Sequence, residues 1–181
     1  TSNIFYRRSL FLSVSGFDET LSYPASHGFA VEGADTDLAW RLIERGAKKL
    51  FIEDALIYHE VQKQGVDAWL IEPWRLYIVP ALIKLHPRLR QKMLVGQFFF
   101  YRNSLYYYIL SILVIVLLVV SPHILLWTPV ALLAIAFIKT RSISPITLFR
   151  ELVKITLNTI RNYIMITALL YGSIRFRTMV L

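Results

Sequence analysis

Apolar and polar positions are distributed unevenly along the chain, and the unevenness divides it. Over 3–17 (NIFYRRSLFLSVSGF) apolar residues mix with β-prone ones and alternate in places, which predicts a strand closed by a turn at Gly16 and Asp18. Residues 20–30, with Pro24 and Gly28, read as a loop. In EGADTDLAWRLIERG (32–46) Leu38, Ala39, Leu42 and Ile43 share one face at helical spacing, so a short amphipathic helix is predicted. Glu32, Asp35 and Asp37 crowd its start, where acids suit the positive end of the dipole, and Gly46 stands where a helix ends on a left-handed residue. Asp37 and Arg41 form an i,i+4 pair worth about 0.3 kcal/mol. Residues 48–61 (KKLFIEDALIYHEV) read as one or two short strands ending at Tyr58-His59.

From residue 66 the pattern changes. Residues 66–103 are cut by Pro73, Pro80 and Pro87 and carry Trp69, Trp74 and Tyr77, then a basic cluster. Aromatics and cations beside an apolar run predict helices in a lipid headgroup zone; a helical linker packed on the first domain is the competing reading. Residues 104–138 hold no Asp, Glu, Lys or Arg across 35 positions. One helix of that length would run about 50 Å, against a hydrocarbon core of about 30 Å. Ser121-Pro122-His123 breaks the run, so two short helices, 105–120 and 124–138, are predicted as a transmembrane hairpin. Over 147–171, Arg150, Glu151, Lys154, Asn158, Arg161 and Asn162 fall within an arc of about 120°, opposite an apolar face. That predicts an amphipathic helix at the interface or packed on the first domain, followed by a basic tail.

Composition sharpens this picture. Hydrophobic residues make up 56% of the 181 and the mean hydropathy is +0.52, which points to a bilayer as a partner. The net charge is +8, and its cations gather beside the apolar run (Lys84, Arg88, Arg90, Lys92 and Arg102 before it, Lys139, Arg141 and Arg150 after it). That places both flanks of the hairpin on the cytoplasmic side. No nucleic-acid motif accompanies the charge, so a nucleic-acid partner is not expected. The chain has no cysteine, which excludes disulfides, thiolate metal sites and a Cys nucleophile. It begins at Thr1 inside a strand-like pattern, so it is expected to be a fragment lacking upstream sequence.

The chemistry-bearing residues each have two readings. Asp35 at a helix start is a cap or an ionised, fixed carboxylate fit for general-base work. His59, ending a strand, is structural or a metal ligand. Arg7 and Arg8 are a solvated edge or a contact for a diphosphate or an anionic acceptor. No Gly-rich phosphate loop, Ser-His-Asp order or zinc-type spacing is present.

Taken in order, Asn3, Tyr6-Arg7-Arg8, Ser15-Gly16-Phe17-Asp18-Glu19, Gly33-Ala34-Asp35-Thr36-Asp37-Leu38, Trp40-Arg41-Leu42, Gly46 and Tyr58-His59 closely resemble the second half of the catalytic domain of family-2 glycosyltransferases, the inverting GT-A type. The resemblance covers about residues 1–60. Downstream, the Pro-led basic stretch Pro87-Arg88-Leu89-Arg90, the apolar hairpin and the ending Gly172–Arg177 look like membrane-attached members. It implies an α/β fragment, the C-terminal half of a nucleotide-diphospho-sugar transferase domain, over 1–65. Juxtamembrane helices (66–103), the hairpin (104–138) and an amphipathic helix with a basic tail (139–181) then form an all-α membrane region.

The implied function is transfer of a sugar from a nucleotide-sugar donor to a hydroxyl of a glycan or lipid-linked acceptor, in envelope glycan or glycolipid synthesis. Asp35 matches the general base and His59 the strand-end His that helps hold a metal. Gly16, Phe17, Asp18 and Glu19 match the loop bordering the acceptor and sugar site. A divalent ion, Mg²⁺ or Mn²⁺, would be held mainly by the missing N-terminal half, and this segment alone is expected to be inactive. Two departures stand out. Ala34 replaces the Glu of the family's acidic pair, and Ser15 replaces a Gly, which asks that position to avoid a glycine-only backbone conformation. Ala34 supports the alternative of a degenerate, non-catalytic membrane anchor or scaffold.

Overall fold

The computed structural model describes residues 4–26, 29–58 and 64–181. The helices, in order, are α1 (Arg8–Ser13), α2 (Ala34–Glu44), α3 (Val66–Ile71), α4 (Val79–Leu85), α5 (Pro87–Met93), α6 (Arg102–Val120), α7 (Thr128–Thr140) and α8 (Pro145–Phe176). Short 3₁₀ segments cover Glu19–Leu21, Glu72–Ile78 and Pro122–Trp127. Proline sets much of this segmentation. Pro73, Pro80, Pro87, Pro129 and Pro145 each stand in the first turn of a helical segment, where the missing N–H removes no helical bond.

The α/β expectation for residues 1–65 is overturned. Among the described residues the only sheet is a two-stranded antiparallel ribbon, β1 (Ser22–Ser26) with β2 (Phe29–Glu32), pairing Ser22 with Glu32 and Ser26 with Phe29. It lies where a loop was expected. The strand predicted over 3–17 is helical from Arg8, with the Phe11 N–H donating to the Arg7 carbonyl at 3.0 Å. Of residues 48–61, predicted as strands, 48–58 have no regular structure and expose Leu50, Phe51, Leu56 and Tyr58, and 59–61 lie outside the described residues. The physical reason is the absence of neighbours. A strand satisfies its backbone through an adjacent strand, and the described residues offer none to either segment.

The core forms between α8 and the 72–83 stretch. Tyr77, Ile78, Val79, Ala81, Leu82 and Ile83 pack against Met165, Ala168 and Leu169, with Leu21 and Ala34 on the far side. Burying a side chain such as Leu169, which is fully enclosed, stabilises by about 2 kcal/mol. Residues 66–103, expected beside a membrane, thus supply one wall of the core. The polar arc of α8 is partly engaged as well. Arg161 donates to Glu72 at 2.9 Å and to the Trp69 carbonyl, and lies 4.6 Å from the Trp69 ring centre. At the end of the chain, the Leu181 N–H donates to the Phe98 carbonyl and the Leu181 carbonyl accepts from Phe100, both at 2.7 Å.

The expected transmembrane hairpin over 104–138 is also corrected. No single helix among the described residues is long and apolar enough to cross a membrane. By length and composition, α7 and α8 pass together as a span broken by a 109° bend. Both α6 and α7 pack on α8 and expose large apolar side chains, among them Ile112, Ile115, Val119 and Val120 on α6 and Val130, Leu133 and Ile138 on α7.

Candidate functional site

Helix α2 is the organising element. It starts after Gly33 with Asp35 and Asp37 in its first turn. It ends as expected, with Gly46 at φ +81°, the Gly46 N–H donating to Ile43 and the Ala47 N–H to Leu42. This paired arrangement satisfies carbonyls left open at a helix end. Leu38 and Leu42 face inward and form a small core with Val14, flanked by Tyr6 and Phe11.

Facing α2 is the Val14–Asp18 loop. Both Ser15 (φ +63°) and Gly16 (φ +68°) are left-handed. Ser15 therefore adopts the conformation it was expected to avoid, at a cost of about 1 kcal/mol. At Gly16 a side chain would also be crowded, because a Cβ would lie 3.0 Å from the Phe11 ring, which would have to shift by a few tenths of an ångström. Asp18 closes the loop. Its carboxylate accepts from the Thr20 hydroxyl at 2.6 Å and the Thr20 N–H at 3.0 Å. Those bonds, aided by Arg41, hold the Asp18 carboxyl below the usual carboxylate range.

Arg41 joins loop to helix. Its Nε donates to Asp37 at 2.7 Å, and its terminal nitrogens donate to the Val14 and Gly16 carbonyls, the latter at 2.7 Å. Arg45 adds a bond to the Ser13 carbonyl. The expected Asp37–Arg41 pair is present, and Arg41 also fixes the loop. Asp37 is buried and has a second partner, His86, whose Nε2 is 2.9 Å from its Oδ1. The other ring nitrogen of His86 is 3.0 Å from Glu44 Oε2.

These groups enclose an open cleft of about 560 Å³, lined by the 14–18 loop, Asp37, Arg41, Glu44, Leu85 and His86. Of the residues expected at a site, Gly16, Phe17 and Asp18 line it, and exposed Glu19 follows directly. Asp35 does not line it. Its carboxylate accepts from the Thr36 N–H at 2.6 Å and bears on Tyr6 instead. The Tyr6 phenol is pushed above its ordinary value, first by burial and then by the Asp35 charge, and its hydroxyl is buried without a hydrogen-bond partner. Arg7 and Arg8 are exposed where α1 begins, away from the cleft. His59, the expected metal ligand, lies outside the described residues.

Among the described residues no three His, Asp or Glu side chains converge to hold a metal ion. Sequence reasoning missed His86 and Glu44. Their one local signal is the His-Pro step, since a residue before proline is pushed out of the helical region and interrupts a helix. His86 has φ −123° and ψ 80° and makes the corner between α4 and α5. A comparison with family models finds no match, and comparisons with curated proteins and with solved structures find none either.

Proposed function

We propose that this chain provides the acceptor side of a membrane-attached, inverting glycosyltransferase of family 2. One observation carries the reading. The two sequence elements that resemble that family, SGFDE and GADTDLAWR, are joined by Arg41 and wall a single cleft. In this proposal the Asp35 carboxylate takes the proton of an acceptor hydroxyl as its oxygen bonds to the anomeric carbon. The bond from that carbon to the nucleotide diphosphate breaks, and the diphosphate leaves with the electron pair, giving inversion. Asp35 lies outside the cleft lining, and what supports this role is its place in the first turn of α2, the turn that lines the cleft through Asp37.

The donor is a nucleotide sugar and the acceptor a glycan or lipid-linked hydroxyl at the cytoplasmic face of a bilayer. The exposed apolar faces of α6 and α7 and the basic residues flanking them support that placement. A divalent ion, Mg²⁺ or Mn²⁺, belongs to the proposal with ligands outside the described residues. The test is transfer of label from a panel of nucleotide sugars to membrane lipid extract by the full-length protein in vesicles. Labelled product from one donor is expected. Absence of product from every donor favours the second reading, a non-catalytic scaffold, which Ala34 and the position of Asp35 away from the cleft support.

A further inference from the structure

His86 sits at the α4–α5 corner, 3% exposed, between two carboxylates. An ionised carboxylate only accepts hydrogen bonds, and a neutral imidazole carries one N–H. Both contacts, at 2.9 and 3.0 Å, are therefore hydrogen bonds together only when the ring carries two protons. The charges agree. Asp37 and Glu44 balance Arg41 and a doubly protonated His86, whereas a neutral ring leaves one negative charge in excess, and Asp37 is buried. The surrounding charged groups do not replace that proton. Asp18 lines the same cleft, and Lys92 of α5 lies over the Trp40 ring at 5.4 Å. Arg45 is bonded to the Ser13 carbonyl and Arg90 to the Gln97 and Met179 carbonyls. Lys84 and Arg88 face solvent.

We infer that His86 is a proton-operated pin for the cleft. With two protons it ties α2 to the α4–α5 corner, and through Asp37 and Arg41 it holds the Val14–Gly16 wall in place. Loss of one proton frees one carboxylate and loosens that wall. The inference concerns the shape of the cleft and stands whatever chemistry the cleft performs.

Proton linkage gives the sign. Both hydrogen bonds exist only with two ring protons, so the tie between α2 and the α4–α5 corner is whole at acid pH and is lost as pH rises, with a change of at most about tenfold in the folding equilibrium constant per pH unit. The test uses the full chain in detergent micelles between about pH 5 and about pH 8, the range in which imidazole normally titrates. Long-range ¹H–¹⁵N spectra should show both His86 nitrogens protonated at the acid end, and the folding equilibrium constant should fall through the window. Glu44→Gln removes one negative charge at a partly exposed position and adds an amide N–H that can donate to an unprotonated ring nitrogen, so it should fold and flatten that fall. His27, His59 and His123 contribute equally to both chains and cancel in the comparison. A His86 ring with one bare nitrogen at the acid end, or a pH profile unchanged by Glu44→Gln, overturns the inference.

Discussion

Gly172→Ala tests the packing that carries the site. Gly172 lies on α8 where that helix crosses the Glu72–Ile78 segment. A Cβ added there would sit 2.1 Å from the Tyr77 carbonyl oxygen, 2.9 Å from its carbon and 3.1 Å from Pro80 Cγ. The obstacle is backbone and a proline ring, so no side chain can swing aside. Ordinary contact of about 3.4 Å would require the two segments to part by roughly 1 Å. Ala168 and Leu169, both fully buried, would lose contact with Tyr77 and its neighbours. Overpacking of this kind costs about 3 kcal/mol, and the better helix propensity of Ala returns about 1 kcal/mol. The net loss is about 2 kcal/mol, or roughly 4–8 °C in Tm for a chain of this size. Thermal unfolding followed by circular dichroism in micelles measures it. Gly46→Ala is the control, because no atom lies within 4 Å of its added Cβ and only the φ of +81° is strained. A Gly172→Ala chain as stable as wild type would refute the close approach of α8 to residues 72–78.

Three further outcomes follow from the same geometry. Ser15→Gly should stabilise by about 0.7 kcal/mol in denaturant titrations, because the left-handed φ suits glycine. Arg41→Met should destabilise by about 2–3 kcal/mol, since it strips one partner from buried Asp37 and two bonds from the loop while His86 remains, and loop amides should exchange faster. The raised Tyr6 ionisation contributes stability that is whole below about pH 10 and lost as pH rises through the folded value, so Tyr6→Phe should lessen alkaline unfolding, with phenolate absorbance as the readout.

Helix α2 was legible from sequence because each of its signals is local: the apolar spacing of Leu38 and Leu42, the acids at its start, the Asp37–Arg41 pair and Gly46 at its end. The turn at Gly16 and Asp18 was legible for the same reason, whereas its place beside an acceptor site is only what the resemblance implies. The strands were not, because periodicity reports which faces are apolar and says nothing of whether a neighbour exists to accept the backbone bonds. Residues 8–13 found those bonds within a helix, and the apolar side chains of 50–58 remain exposed. The His86–Asp37 contact spans 49 positions, and nothing near either residue announces the other. The amphipathic arc of α8 was correctly read, but the same polar and apolar pattern serves a lipid interface and a protein core. The Arg161–Glu72 bond and the burial of Met165, Ala168 and Leu169 show that the core takes the C-terminal part of that helix.

The central claim is that Asp35 acts as a base on an acceptor hydroxyl. The most direct measurement compares wild-type and Asp35→Asn turnover in the full-length, vesicle-bound protein, with the thermal midpoint and membrane association recorded in parallel. Asparagine keeps the size of the side chain and removes its basicity. In the Asp35→Asn protein kcat should fall by about 10²–10⁴-fold with KM, midpoint and membrane association little changed. Turnover equal to wild type in a folded, membrane-bound Asp35→Asn protein would contradict it.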